Sequence, residues 1–161
     1  MIDLDELDSD FRDKLVNVIR DSLAIGMALD IRVGTLNVQQ QAKLWRRSRT
    51  DNEIDHGIFE LEQENCPFLA EVLRRANSPA GVAVTGDMPG FTWQNFGEEV
   101  EIHSTSHSIA TDLMKIAKKY DLTVGESFLG NVSLRKSPFS TPLEVYKASE
   151  IDKLMQEKWG S

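Results

Sequence analysis

Residues 84–103 read Val84-Thr85-Gly86-Asp87-Met88-Pro89-Gly90-Phe91-Thr92-Trp93-Gln94-Asn95-Phe96-Gly97-Glu98-Glu99-Val100-Glu101-Ile102-His103. Two kinds of local structure meet in this segment. Gly86-Asp87-Met88-Pro89-Gly90 is dense in turn formers and predicts a loop. From Gly97 onward the pattern alternates: Val100 and Ile102 are apolar, and Glu99, Glu101 and His103 are polar. A period of two is the mark of a half-buried strand. That strand belongs in a small, mostly antiparallel sheet, because such sheets tolerate one wet face. Helices from the first half of the chain are expected to cover its apolar side.

The flanking sequence supplies those helices. Leu7, Phe11, Leu15, Val18 and Ser22 recur at helical spacing, and Gly26 is a stop. Leu29, Ile31 and Val33 alternate as a short strand. Asn37 with Gln40, and Thr50 with Glu53, each match a capping box at a helix start. Pro67 suits the first position of another helix, which carries Leu69, Val72, Leu73 and Ala76. Asn77-Ser78-Pro79-Ala80-Gly81 reads as a loop, and Val82 with Val84 as a short strand. Beyond His103, an amphipathic helix is expected through Ile109, Leu113, Ile116, Ala117 and Tyr120. Extended pieces follow near Leu122–Phe128 and Val132–Leu134. A closing helix bears Ile151, Leu154 and Met155. The pattern predicts an α+β class.

Composition narrows the function. The chain has 161 residues, a length that suits one compact domain over residues 1–161. Its formal net charge is -8, with 26 acidic against 18 basic residues, which argues against a nucleic-acid partner. Arg46, Arg47 and Arg49 form a local basic cluster, read as a solvated helix end. Cys66 is the single cysteine, so neither an internal disulfide nor a cysteine metal cluster can form. The acidic start (Asp3, Asp5, Glu6, Asp8) is unlike a secretory signal, and no apolar run matches the roughly 20 residues that span a bilayer. A soluble protein, cytoplasmic at synthesis and without a membrane partner, is the expectation.

The quoted segment resembles the signature of the VanY-type zinc peptidases, the D-alanyl-D-alanine carboxypeptidases and phage-lysin L-alanyl-D-glutamate endopeptidases. The likeness continues upstream in Gln41-Ala42-Lys43-Leu44-Trp45 and Ser48-Arg49-Thr50. It continues downstream in Val145-Tyr146, Glu150-Ile151-Asp152, Met155 and Trp159-Gly160. Such a resemblance implies the VanY-type, hedgehog-like peptidase fold and a bacterial or phage-related origin. It also implies where the chemistry of those enzymes would sit, and this chain departs at each of those places. The first zinc-ligand His corresponds to Gln94, and the Asp ligand to Glu101. The second His belongs near Lys136-Ser137-Pro138-Phe139, with Pro138 as the matching position, and no His stands there. No acid precedes it to act as base. The Arg that clamps the substrate carboxylate corresponds to Leu36, within Gly34-Thr35-Leu36-Asn37. The small Ala before the Asp is replaced by Glu99.

A catalytic zinc takes three protein ligands and leaves one position for water, whose pKa it lowers to about 7. A Gln amide is a poor substitute for imidazole. The resemblance therefore implies a pseudoenzyme without zinc or another cofactor and with no catalytic residue. It would bind or scaffold a peptidoglycan fragment or a protein partner. Thr92, Trp93, Asn95, Glu99 and His103 are the expected lining of the former cleft. Two alternatives stay open: a working metallopeptidase with altered ligands drawn from Glu99, Glu101, His103 and His107, and an inhibitor or immunity-type protein. A helix start can lower a thiol pKa, but Cys66, without a His near it in sequence, reads as a small buried or partly buried residue. His56 reads as an exposed helix residue.

Overall fold

The alternation around Val100 and Ile102 forms strand β2 (Glu99–His103) in the computed structural model of the chain, which describes residues 3–81, 87–103, 109–126 and 131–160. The described residues group into two compact units. One comprises Met1–Thr35 with Phe96–Ser140, and the other Leu36–Asn95 with Thr141–Ser161. The class is α+β, with an all-antiparallel sheet as expected.

The first unit holds α1 (Ser9–Ala24), β1 (Asp30–Val33), β2, α5 (Ile109–Lys118), β3 (Thr123–Glu126) and β4 (Val132–Arg135). The strands lie in the order β1-β2-β4-β3. Val100 pairs with Leu134 and Ile102 with Val132 and Ile31, so these side chains share one face. Phe11, Leu15 and Val18 of α1, with Leu113, Ile116 and Ala117 of α5, bury that face. The cover thus comes from α1 and from α5, a helix of the second half, whereas the other first-half helices belong to the second unit. The Tyr120 hydroxyl donates to Asp21 at 2.5 Å and fastens the end of α5 to α1. That hydrogen bond, before the charge of Arg20, holds the Asp21 carboxyl below its usual range.

Asp8 caps α1 by accepting from the N–H of Phe11 at 3.0 Å, and its own N–H donates to the carbonyl of Gly97 at 2.9 Å. Gly97 has φ +72°, and a Cβ there would stand 2.9 Å from the Asp8 nitrogen. Only glycine meets both demands without strain.

The second unit holds α2 (Val38–Arg46), α3 (Asp51–Gln63), α4 (Pro67–Arg75) and α6 (Ala148–Trp159). Both expected capping boxes form: Asn37 with Gln40 opens α2, and Thr50 with Glu53 opens α3. Pro67 opens α4, but its N-cap residue, Cys66, makes no capping bond. Asp152 supplies one from α6, accepting from Leu69 N at 2.8 Å and Phe68 N at 3.3 Å. Burial raises the Asp152 pKa, and these two bonds oppose that rise. The expected strand at Val82 and Val84 lies outside the described residues, and no described helix is long and apolar enough to cross a membrane.

Ser22 is fully buried on the core side of α1, and its hydroxyl has no hydrogen-bond partner among the described residues. An unpaired buried hydroxyl costs about 1–3 kcal/mol, and alanine is the better helix former. Ser22→Ala should raise stability by about 1 kcal/mol, read as a higher denaturant midpoint with unchanged slope. A midpoint at or below that of the unmodified chain would contradict this account.

Candidate functional site

The polar face of the sheet collects the acid and imidazole groups of β2. Glu101 stands opposite Ser133 on β4, and Ser133 stands opposite Gly125 on β3. One row across three strands therefore runs Glu101, Ser133, Gly125. In the next row Glu99 faces Arg135, which faces Thr123. At the other end His103 pairs in register with Asp30, and its Nδ1 lies 3.2 Å from Asn131 Oδ1. The Arg135 guanidinium folds over Gly125, where a Cβ would meet Nη1 at 2.7 Å. Glu101 is half-buried, and this burial raises its pKa above the usual carboxylate value. Among the described residues its carboxylate has no hydrogen-bond or ion-pair partner. A carboxylate withdrawn from water without a partner is costly, and such groups concentrate at binding sites.

Within the second unit, the loop from Asp87 to Asn95 is held by one side chain. Asn95 accepts from Gly90 N at 2.8 Å and donates to the Leu36 carbonyl at 2.8 Å. Its own carbonyl accepts from the Trp159 indole at 2.9 Å. Gly90 has φ +91°, and a Cβ would lie 2.9 Å from Leu69 Cδ1. Leu36 N donates to the Gln94 carbonyl at 3.2 Å, so the residues matching clamp and first ligand share a backbone bond. Burial raises the pKa of Asp87 in the same loop.

Three of the expected cleft residues are buried. Asn95 is 0% exposed, Trp93 3% and Thr92 8%. Asn95 staples the backbone, and Trp93 packs edge-on to Tyr146 with ring centroids 6.5 Å apart. Thr92 Oγ1 accepts from Gln94 N at 3.4 Å, and Gln94 itself is only 8% exposed. These groups support the loop from within and do not line an open surface. Glu99 and His103 remain half-exposed on the sheet face.

Where the resembled enzymes place their second His, Lys136 takes a different role. Its Nζ lies 2.9 Å from Asp8, 3.5 Å from Asp10 and 3.7 Å from Glu98. Partial burial pulls its pKa down, but the hydrogen bond to Asp8 and the three charges outweigh it and hold the ammonium above the ordinary lysine value. Pro138, the matching position, is exposed. Among the described residues no group of three or more His, Cys, Asp or Glu is placed to hold a metal ion, and His107 lies outside those residues.

Cys66 is buried. Burial, reinforced by the charges of Asp152 and Glu64, pushes its thiol up to about 12, so the group stays protonated at neutral pH. The arginine cluster is not a merely solvated helix end. Arg46 donates to Ser78 Oγ at 2.9 Å and to the Leu73 carbonyl at 2.7 Å, closing the end of α4. Arg49 stacks on Trp45, 4.2 Å from the ring centroid, and donates to its carbonyl. His56 is exposed and pairs with Glu60 at 2.8 Å.

Nothing in the sequence marked Arg135, Ser133 or Gly125, because their relation to Glu101 exists only through strand register. No protein-family model matches the chain, and no curated protein matches it as a relative. The resemblance to the zinc peptidases rests on the motif residues themselves.

Glu101 has a pH signature. Its pKa is raised in the folded state, so the folded chain holds that proton more tightly than the unfolded chain. The resulting stabilisation is complete below the unfolded glutamate value and is lost as pH rises through the folded one. Glu101→Gln cannot titrate. The variant should therefore gain stability relative to the unmodified chain as pH climbs from about 4, the unfolded glutamate range, towards neutral. Denaturant unfolding of both proteins across this range measures it, and parallel curves would refute the burial argument.

Proposed function

We propose that the chain is a catalytically silent relative of the VanY-type zinc peptidases that binds a fragment of peptidoglycan. One observation carries the reading. The motif residues that match those enzymes, Gly90, Trp93, Asn95 and Gly97, have structural roles here. The positions that would carry chemistry hold other residues: Gln94, Glu101, Pro138 and Leu36. The frame is maintained by packing and hydrogen bonds that do not require zinc. Without a metal-bound hydroxide, a positioned base or a carboxylate clamp, amide hydrolysis lacks its main sources of rate. Binding needs less. The net charge of -8 and the acidic sheet face favour a ligand that carries ammonium groups, as the diamino residue of a stem peptide does.

Calorimetric titration with a synthetic stem pentapeptide, followed by mass spectrometry of the mixture, tests this. Saturable binding with the peptide recovered intact is expected, with or without added zinc. Cleavage of the peptide would overturn the reading in favour of an altered-ligand metallopeptidase. Absence of binding would remove the peptidoglycan fragment and leave a protein partner as the target to seek.

A further inference from the structure

We infer that the row Glu101–Ser133–Gly125, with the Arg135 guanidinium laid over it, recognises a zwitterion, taking its ammonium at Glu101 and its carboxylate at Arg135. The inference deepens the binding-module reading and rests on it only in treating this face as a binding face.

Several arginines and lysines of the chain, one of them at the β1 edge of this same face, meet a carboxylate directly. Arg32 pairs with Asp30 at 2.6 Å, Arg75 with Glu71 at 2.6 Å, and Lys136 with Asp8 at 2.9 Å. Glu101 and Arg135 share a face on neighbouring strands yet form no ion pair with each other. The reason lies in where the guanidinium goes. Nε of Arg135 donates to the Ser137 carbonyl at 3.2 Å, and the fork turns away from β2 to cover Gly125. Any side chain at position 125 would occupy that place. The carboxylate is therefore rooted on β2 and the guanidinium held over β3. The backbone under the guanidinium, at Gly125, lies two inter-strand steps from that of Glu101, about 9–10 Å. Ser133, 4% exposed, lies between them.

A direct pair is poorly placed to close this gap, whereas a ligand with opposite charges several bonds apart can bridge it. The ammonium would relieve the desolvated carboxylate, and the guanidinium would offer a planar fork to the ligand carboxylate. Two sources share this chemistry: a free ω-amino acid and a short peptide with free termini.

The test is a nuclear magnetic resonance titration of the full chain, labelled with nitrogen-15. The probes are glycine, β-alanine, 4-aminobutyrate, 6-aminohexanoate and glycylglycine, with butylamine and butyrate as single-charge controls. The longer zwitterions should shift the amides of β2, β3 and β4 and bind at least tenfold more tightly than glycine or either control. Tighter binding of glycylglycine than of the ω-amino acids would assign the site to peptides, and the reverse order to free amino acids. Glu101→Gln and Arg135→Gln should each weaken binding at least tenfold. Gly125→Ala should do the same while leaving both charges in place. Preserved amide dispersion separates these effects from unfolding, and Glu101→Asp is the alternative should Glu101→Gln unfold. Equal binding of butylamine and the zwitterions would overturn the inference, as would undiminished binding in the variants. Stem-peptide binding that persists in Glu101→Gln would defeat the zwitterion site alone. Zwitterion binding without stem-peptide binding would defeat the peptidoglycan reading alone.

Discussion

The two-sidedness of β2 constrains everything in its unit. Side chains along a strand alternate faces, so a slip of one residue would exchange Val100 and Ile102 for Glu99, Glu101 and His103. Such a slip would bury two carboxylates in a core formed by α1 and α5. The register is pinned twice at the start of the strand. Asp8 meets Gly97 just before the strand, and Lys136 N donates to the Glu98 carbonyl at 2.9 Å just past β4. The polar face is the necessary counterpart of the apolar one. Whatever that face binds, its charges stand where they do because the core requires their neighbours.

The second unit solves a different problem. It must hold an irregular loop against helices, and buried backbone groups in such a loop need partners. Asn95 provides two from its carboxamide and a third from its carbonyl. Asp152 does comparable work at the start of α4. Both are buried polar side chains whose partners are distant in sequence. Removing either would leave backbone groups unsatisfied, at about 1–3 kcal/mol each.

This difference in range explains what the sequence made legible. The capping boxes at Asn37 and Thr50, the proline at the start of α4 and the alternation of β2 are local rules, and each appears where its pattern lies. The remote cap from Asp152 could not be read, since nothing near Cys66 indicates α6. Asn95 was read as cleft lining because a polar residue beside aromatic ones has no local sign of burial. The arginine cluster misled for a similar reason: Arg46 is drawn to the end of α4 and Arg49 to Trp45, and neither partner is adjacent in sequence. Glu101 was visible as a carboxylate on a strand face. Its want of a partner was not, because it depends on strand register, which sets the uncharged Ser133 opposite it.

The resemblance itself can be read in the same physical terms. Matching residues such as Gly90, Asn95 and Gly97 are tied into the fold through positive φ, close backbone approach or paired amides. Substitution there would be costly with or without catalysis. The departing positions carry no comparable duty. The Gln94 amide makes no hydrogen bond within the described frame, and Pro138 is exposed. A chain relieved of hydrolysis would be expected to vary first at such places, since stability does not guard them. On the proposed reading, a motif would survive as architecture after its chemistry had gone. The residues that then report present function are those whose energetic cost the fold leaves unexplained. By that criterion Glu101 ranks first on the sheet face, being half-buried, raised in pKa by that burial and without a partner among the described residues.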